Sequence, residues 1–176
     1  MAALRFILLV SLMGAYALEC LMGICLVRNP VRRRKFQTRS ISRYSRRMMR
    51  VLGFDLSQLG STPVQGSLII ANHLSYLDIL AIASFWPAVF VTSVETQNTP
   101  GLGHLCKLGG CIFVERRRHF VSRRELREVR DALAQGFNVV VFPEATTSDG
   151  SGVLPFKRAL LRSAQSVGAK VFPICL

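Results

Sequence analysis

A histidine and an aspartate five residues apart, His73 and Asp78, are the pair best suited to chemistry in this 176-residue sequence. They follow the apolar run Leu68–Ala71, which has the residue types of a buried β-strand. A neutral imidazole can accept a proton from a hydroxyl, and a nearby carboxylate can fix its tautomer and stabilise its protonated form. The pair therefore suggests a general base, but this spacing alone is common and needs support from the rest of the chain.

Two other stretches carry polar side chains directly after a strand-like run. Residues 110–118 lead from an apolar run into Glu115 and three arginines, beginning with Arg116. Residues 142–150 lead into a turn that contains Glu144, Thr146 and Thr147. Ligands in parallel α/β sheets sit beyond the carboxyl ends of the strands, so we expect these stretches to lie near His73.

Short β-rich runs alternate with helical patterns along the chain, which predicts an α/β domain with a largely parallel, mixed sheet flanked by helices. We expect strands at 68–71, 88–93, 111–114, 138–142 and 170–174, and helices at 75–83, 122–135 and 155–167. Ser75 and Asp78 fit a capping box at the start of the first of these helices. His73 can meet Asp78 only if the helix begins after His73, because helical positions five apart point about 140° away from each other.

The N-terminal segment is almost wholly apolar from residue 4 to residue 27, with Arg5 near its start and Glu19 as the only charge further inside. A helix of that length spans roughly 36 Å, enough to cross a bilayer core. We therefore interpret residues 1–27 as a membrane helix. A cleaved signal peptide and a re-entrant or interfacial helix are the alternatives.

A basic juxtamembrane segment, residues 28–50, follows with ten lysines and arginines. Such a segment should hold the domain of residues 51–176 on the cytoplasmic face, which is the inner membrane in a bacterium. The whole chain has 23 Lys and Arg against 10 Asp and Glu, a net charge of +13. The apolar neighbour and the scarcity of aromatics favour an anionic membrane surface over nucleic acid as partner. The five cysteines show no CxxC spacing and predict neither a zinc site nor a disulfide framework.

Four stretches, in this order, resemble the motifs of the glycerophospholipid acyltransferase family, over roughly residues 40–176. The matching residues are Asn72, His73 and Asp78 in the first motif, Gly110, Ile112, Phe113, Glu115 and Arg116 in the second, Phe142, Pro143, Glu144, Thr146 and Ser148 in the third, and Val171, Pro173 and Ile174 in the fourth. The order of four motifs makes the resemblance far more specific than the His–Asp spacing alone.

The resemblance implies an enzyme that transfers an acyl group from acyl-CoA or acyl-ACP, without a metal or cofactor, to a lysophospholipid hydroxyl. The acceptor it favours is 1-acylglycerol-3-phosphate, which would give phosphatidic acid. It implies that His73 is the general base and that Asp78 orients it. It also implies an acceptor-binding set made up of Gly110, Arg116, Glu144, Thr146 and Thr147.

Two departures from the third motif bear on the acceptor. Ala145 replaces the usual glycine, and we expect its φ to stay negative. Thr147 replaces an arginine that would bind phosphate, which leaves lyso-ornithine lipid or another phosphate-free acceptor as an alternative. A non-catalytic, membrane-tethered lipid-binding module is the alternative of another class, and a metal-dependent hydrolase would need further ligands. Because the family's domain continues past its fourth motif, we expect the chain to have been shortened at Leu176.

Overall fold

The computed structural model describes residues 2–115 and 122–176. Their helices are α1 (Ala2–Leu26), α2 (Pro30–Leu52), α3 (Leu77–Phe85), α4 (Val94–Asn98), α5 (Leu102–Leu108), α6 (Arg123–Ala134) and α7 (Leu161–Gln165). Their strands are β1 (Leu68–Ala71), β2 (Val89–Ser93), β3 (Ile112–Val114), β4 (Val139–Val141) and β5 (Val171–Ile174). All five predicted strands are confirmed, each within one residue at either end.

The five strands form one sheet in the order β3-β2-β4-β1-β5. Each pairing between them is parallel, so within the described residues the sheet is wholly parallel and not mixed as predicted. β1 lies between β4 and β5, with Ile69 opposite both Val140 and Phe172. The carboxyl end of β1, which leads to His73, is therefore near the middle of one edge of the sheet.

Helices cover both faces of the sheet, as the apolar character of its strands requires. One face, with Leu68 and Val139, packs against Val129 and Leu133 of α6 and against α7. The opposite face, with Ile69, packs against α3 and α2. α1 lies outside this layer, in contact with α2 and α5. The α6–α7 layer and the α1–α2 layer are thus on opposite sides of the sheet.

Local sequence determines where α6 begins but fixes the start of α3 less closely. At α6, the helix begins after Ser122 as predicted, and Ser122 and Glu125 form a capping box, each side chain accepting from the other's backbone N–H. α3 begins at Leu77, two residues later than predicted. The backbone N–H of Asp78 bonds to the carbonyl of Ser75, so the first turn is a tighter i→i+3 turn that precedes the α-helix.

The predicted helix at 155–167 is wrong over its first half, since only Leu161–Gln165 is α-helical. The backbone N–H of Lys157 donates to the carbonyl of Pro143 at 2.8 Å, and Phe156 is 40% exposed. This long-range hydrogen bond holds residues 155–158 against the loop after β4, in place of a helical turn.

α1 and α2 form a helical hairpin joined by a short turn. Asn29 caps α2, accepting from two backbone N–H groups, and Pro30 occupies its first turn. Glu19 of α1 accepts hydrogen bonds from Ser40 and Arg43 of α2, so the one acidic charge of the apolar segment is neutralised inside the hairpin. Among the described helices, α1 alone is long and apolar enough to cross a membrane.

Candidate active site

His73 and Asp78 meet at the carboxyl end of β1. Nδ1 of His73 lies 2.8 Å from Oδ2 of Asp78, and both residues are buried. The imidazole stacks on the ring of Phe142, with the ring centroids 4.0 Å apart. An ionised carboxylate only accepts hydrogen bonds, so Nδ1 carries the proton and Nε2 is left as the basic nitrogen.

The loop before α3 fixes the carboxylate of Asp78. Besides His73, its Oδ2 accepts from the backbone N–H groups of Leu74 at 2.6 Å and Ser75 at 2.9 Å. The Oγ of Ser75 donates to Oδ1 at 3.3 Å. The helix begins after His73, so the geometric condition for the pair is met, although Tyr76 and not Ser75 is the N-cap.

The loop after β4 packs against the same histidine. The backbone N–H of Ser148 donates to the carbonyl of His73 at 2.8 Å, and that of Ala145 donates to the carbonyl of Phe142 at 3.0 Å. Ala145 adopts a φ of 60°, so the expectation of a negative φ is wrong. The turn keeps the left-handed conformation that glycine favours, and the alanine methyl imposes strain of roughly 1–2 kcal/mol there.

A cleft of about 430 Å³ opens in front of His73. Two of the residues that the resemblance assigns to acceptor binding, Thr146 and Thr147, line it together with Tyr76 and Lys157. Residues of β2 and α4 complete the wall. The cleft thus combines a basic imidazole nitrogen, hydroxyl groups, a lysine ammonium and the carboxylate of Glu95, which suits a polar acceptor.

The other predicted binding residues lie in different surroundings. Glu144 is 5% exposed, and neither of its carboxylate oxygens has a hydrogen-bond partner in the described chain. Gly110 follows α5 with a φ of 73°, packed so close to Gln37 that a Cβ would lie 2.8 Å from Oε1. The residues that line the cleft do not include Gly110. Arg116 lies outside the described residues.

Sequence reasoning missed Lys157 and the stacking role of Phe142. Lys157 stands in a stretch interpreted as a helix, and it reaches the cleft only because its backbone is bonded to Pro143. No sequence pattern marks that contact. The role of Phe142 could have been predicted from its position at the end of β4, next to β1, because side chains at that edge of the sheet converge on the site.

The model of the family described as Acyltransferase matches residues 54–176, which contain every element of this site. The chain belongs to the acyltransferase family. The family assignment made from the four motifs is confirmed.

Its relatives differ in the acceptor that their names give. The chain is 39% identical over 129 residues to the 1-acyl-sn-glycerol-3-phosphate acyltransferase of Neisseria gonorrhoeae, a match that covers 71% of this chain and 49% of that protein. It is 32% identical over 130 residues to the lyso-ornithine lipid O-acyltransferase of Pseudomonas aeruginosa, covering 74% of this chain and 50% of that protein. The chain therefore spans about half the length of the curated relatives it matches.

A solved structure shares the fold of this acyltransferase family member. The crystal structure of the 1-acyl-sn-glycerophosphate acyltransferase PlsC from Thermotoga maritima aligns with a TM-score of 0.66 at 27% identity. The alignment covers 97% of this chain and 73% of that one. The helical hairpin and the sheet therefore both fall within the aligned region.

Proposed function

We propose that this acyltransferase family member transfers a fatty acyl group from acyl-CoA or acyl-ACP to the hydroxyl of a lysophospholipid at a membrane surface. The observation that carries the proposal is the 2.8 Å contact between His73 and Asp78 beside a polar cleft. Family membership supports acyl transfer as the reaction, and the relatives support a lyso-lipid as the acceptor.

In the proposed reaction, Nε2 of His73 takes the proton from the acceptor hydroxyl as its oxygen attacks the thioester carbonyl. Asp78 stabilises the imidazolium that forms. The tetrahedral intermediate then expels the thiolate, which takes the proton back from the imidazolium. Stacking on Phe142 and burial hold the imidazole in place, so little reorganisation is needed during the reaction.

The proposed acceptor is 1-acylglycerol-3-phosphate, with phosphatidic acid as product. Lys157 gives the cleft a cation for the phosphate, although Thr147 lacks the guanidinium expected there. Lyso-ornithine lipid is the second candidate, because Thr147 removes a phosphate ligand and relatives with that name match the chain.

We further propose that the α1–α2 hairpin attaches the domain to the cytoplasmic face of the membrane. α1 is apolar and largely exposed, as a lipid-contacting helix would be. Next to it, a cleft of about 830 Å³ is lined by Arg28, Arg32, Lys35, Arg39 and Arg43. Each cation near an anionic surface contributes about 1 kcal/mol to attachment.

Replacement of the base tests the proposed chemistry. His73→Ala should lower kcat by about 10²–10⁴ in membranes supplied with a labelled acyl donor and 1-acylglycerol-3-phosphate. His104→Ala, which removes an exposed histidine from α5, is the matched control and should leave kcat unchanged. Turnover by His73→Ala within a few-fold of wild type would overturn the mechanism. Lipid binding by the wild type without any acyl transfer would instead favour the non-catalytic module.

A further inference from the structure

A group of four arginines lies outside the active site, around a groove of about 470 Å³ between α6 and α7. We call it the arginine surface, formed by Arg123, Arg127 and Arg130 of α6 and Arg162 of α7. The three α6 residues follow one another at spacings of four and three, so they stand in a single row along the helix. The surface is thus a concentrated positive stripe.

Little within the described chain neutralises this charge. Arg130 pairs with the neighbouring Asp131. Arg123, Arg127 and Arg162 are exposed and make no hydrogen bond or ion pair in the described structure. Like charges gathered on one surface repel each other, and that repulsion is relieved when a polyanion binds.

The position of the arginine surface favours a partner from the aqueous phase. α6 and α7 cover one face of the sheet, whereas the apolar helix α1 lies beyond the helices on the other face. A membrane bound through α1 therefore meets the opposite side of the domain. Arg123 begins the helix that follows β3, at the same edge of the parallel sheet where His73 follows β1. Because β2 and β4 lie between β3 and β1, the start of α6 is three strand spacings, roughly 14 Å, along that edge from the reaction site.

The remaining walls of the groove do not resemble a nucleotide site. Its other lining residues in the described chain are Leu126, Ser163 and Ser166. They provide neither an aromatic ring nor a side-chain amide to recognise a base. A row of arginines is instead complementary in charge to a protein surface with carboxylates spaced along a helix. Complementary charge of this kind steers two proteins together.

We propose that the arginine surface docks an acidic acyl carrier protein, which delivers the acyl thioester to the cleft at His73. This inference rests on the proposed function and names the donor for it. The carrier's acidic residues pair with Arg123, Arg127, Arg130 and Arg162, and its acyl-bearing arm reaches the sheet edge beside Arg123. The contact is electrostatic and exposed, so it weakens as salt concentration rises.

Charge reversal on the arginine surface tests the docking. The variant is Arg127→Glu with Arg162→Glu, and the matched control is Arg124→Glu with Lys170→Glu, which makes the same charge change at exposed positions outside the groove. Binding of a bacterial holo-acyl carrier protein to the detergent-solubilised protein is measured first. Steady-state transfer from acyl-carrier protein and from acyl-CoA is then measured, with thermal unfolding as a check on folding.

The docking model predicts that the groove variant binds the carrier at least tenfold more weakly and has a KM for acyl-carrier protein at least tenfold higher. Its kcat/KM with acyl-CoA should stay within twofold of wild type. The control variant should keep its carrier binding and its KM for the acylated carrier within twofold of wild type. An equal loss of kcat/KM with acyl-CoA would mean that the arginines bind phosphate. If the Arg127→Glu, Arg162→Glu variant also loses binding to anionic vesicles, the arginines contact the membrane. Either result overturns the proposal. So does unchanged carrier binding. Absence of transfer from both donors by the wild type would contradict the proposed function, while the binding measurement still decides the docking.

Discussion

The carbonyl oxygen of His73 accepts a hydrogen bond from the backbone N–H of Ser148 at 2.8 Å. The loop after β1 and the loop after β4 are thereby joined at the candidate base. Asn72 joins the first of these loops to the end of β5, since its Oδ1 accepts from the backbone N–H of Leu176. A change in any of these three segments should therefore reach the imidazole.

Asp78→Asn should lower kcat by about 10²–10⁴, because the imidazolium formed during proton transfer would lose its counter-charge. The amide oxygen can still accept from Leu74 and Ser75, so the loop should keep its shape. The measurement is kcat with saturating donor and acceptor, together with thermal unfolding.

The control for Asp78 is Ser75→Ala, which removes the 3.3 Å contact to the other carboxylate oxygen and the 3.2 Å hydrogen bond that the hydroxyl accepts from the backbone N–H of Leu77. We expect its kcat to stay within a few-fold of wild type. Equal losses in the two variants would assign Asp78 to loop structure and not to orientation of the base.

Ala145→Gly should stabilise the protein by up to about 1 kcal/mol. A left-handed φ costs alanine roughly 1–2 kcal/mol, and the extra flexibility of glycine in the unfolded chain offsets about 0.5–1 kcal/mol of the gain. The expected rise in unfolding temperature is about 2 °C. Ala132→Gly, in the buried interior of α6, should shift the temperature in the opposite direction. A fall with Ala145→Gly would show that the methyl contributes packing that outweighs the strain.

Thr147→Arg should shift acceptor preference toward 1-acylglycerol-3-phosphate. The new guanidinium would enter a cleft that already contains Lys157 and could bind phosphate through two hydrogen bonds. We expect kcat/KM for this acceptor to rise about tenfold relative to lyso-ornithine lipid, since one such charged bond contributes about 1.5–3 kcal/mol. Thr146→Ser, which keeps a hydroxyl in the same cleft, should leave the ratio unchanged. A ratio that does not move in Thr147→Arg would place the acceptor headgroup elsewhere.

Glu19→Leu should destabilise the hairpin by about 1–3 kcal/mol, because the buried hydroxyl of Ser40 loses its acceptor. Adding Ser40→Ala should restore part of the loss, since both polar partners are then gone. Unfolding temperatures in detergent measure both effects. Additive losses in the double variant would show that the two side chains act independently.

The cysteines at the end of α5 provide a prediction for pH dependence. A hydrogen bond from the Cys111 thiol lowers the pKa of the Cys106 thiol, so its thiolate forms at a lower pH than usual. Alkylation of Cys106 by iodoacetamide, followed by peptide mass spectrometry, should therefore have a pH midpoint that rises in Cys111→Ala. Cys111→Ser keeps a donor and should move the midpoint less. Identical midpoints in all three proteins would contradict the assigned cause.

The sequence predicts what depends on local residue types. The strands were predictable because runs such as Val139–Val141 are β-branched and buried on both faces. The start of α6 was predictable because Ser122 and Glu125 cap it with their own side chains. His73 and Asp78 could be paired because they are five residues apart and their contact depends only on where α3 begins.

Tertiary structure decides what depends on contacts between distant segments. Residues 155–158 are not helical because Lys157 bonds to Pro143, and that bond outweighs a favourable helix pattern. Ala145 takes a left-handed φ because its loop is held at Phe142 and at His73. The sequence by itself thus indicated the reaction class and the pairing of His73 with Asp78. The shape of the cleft beside that pair arose only when three separate segments packed together, because no single segment contains the hydrogen bonds that fix it.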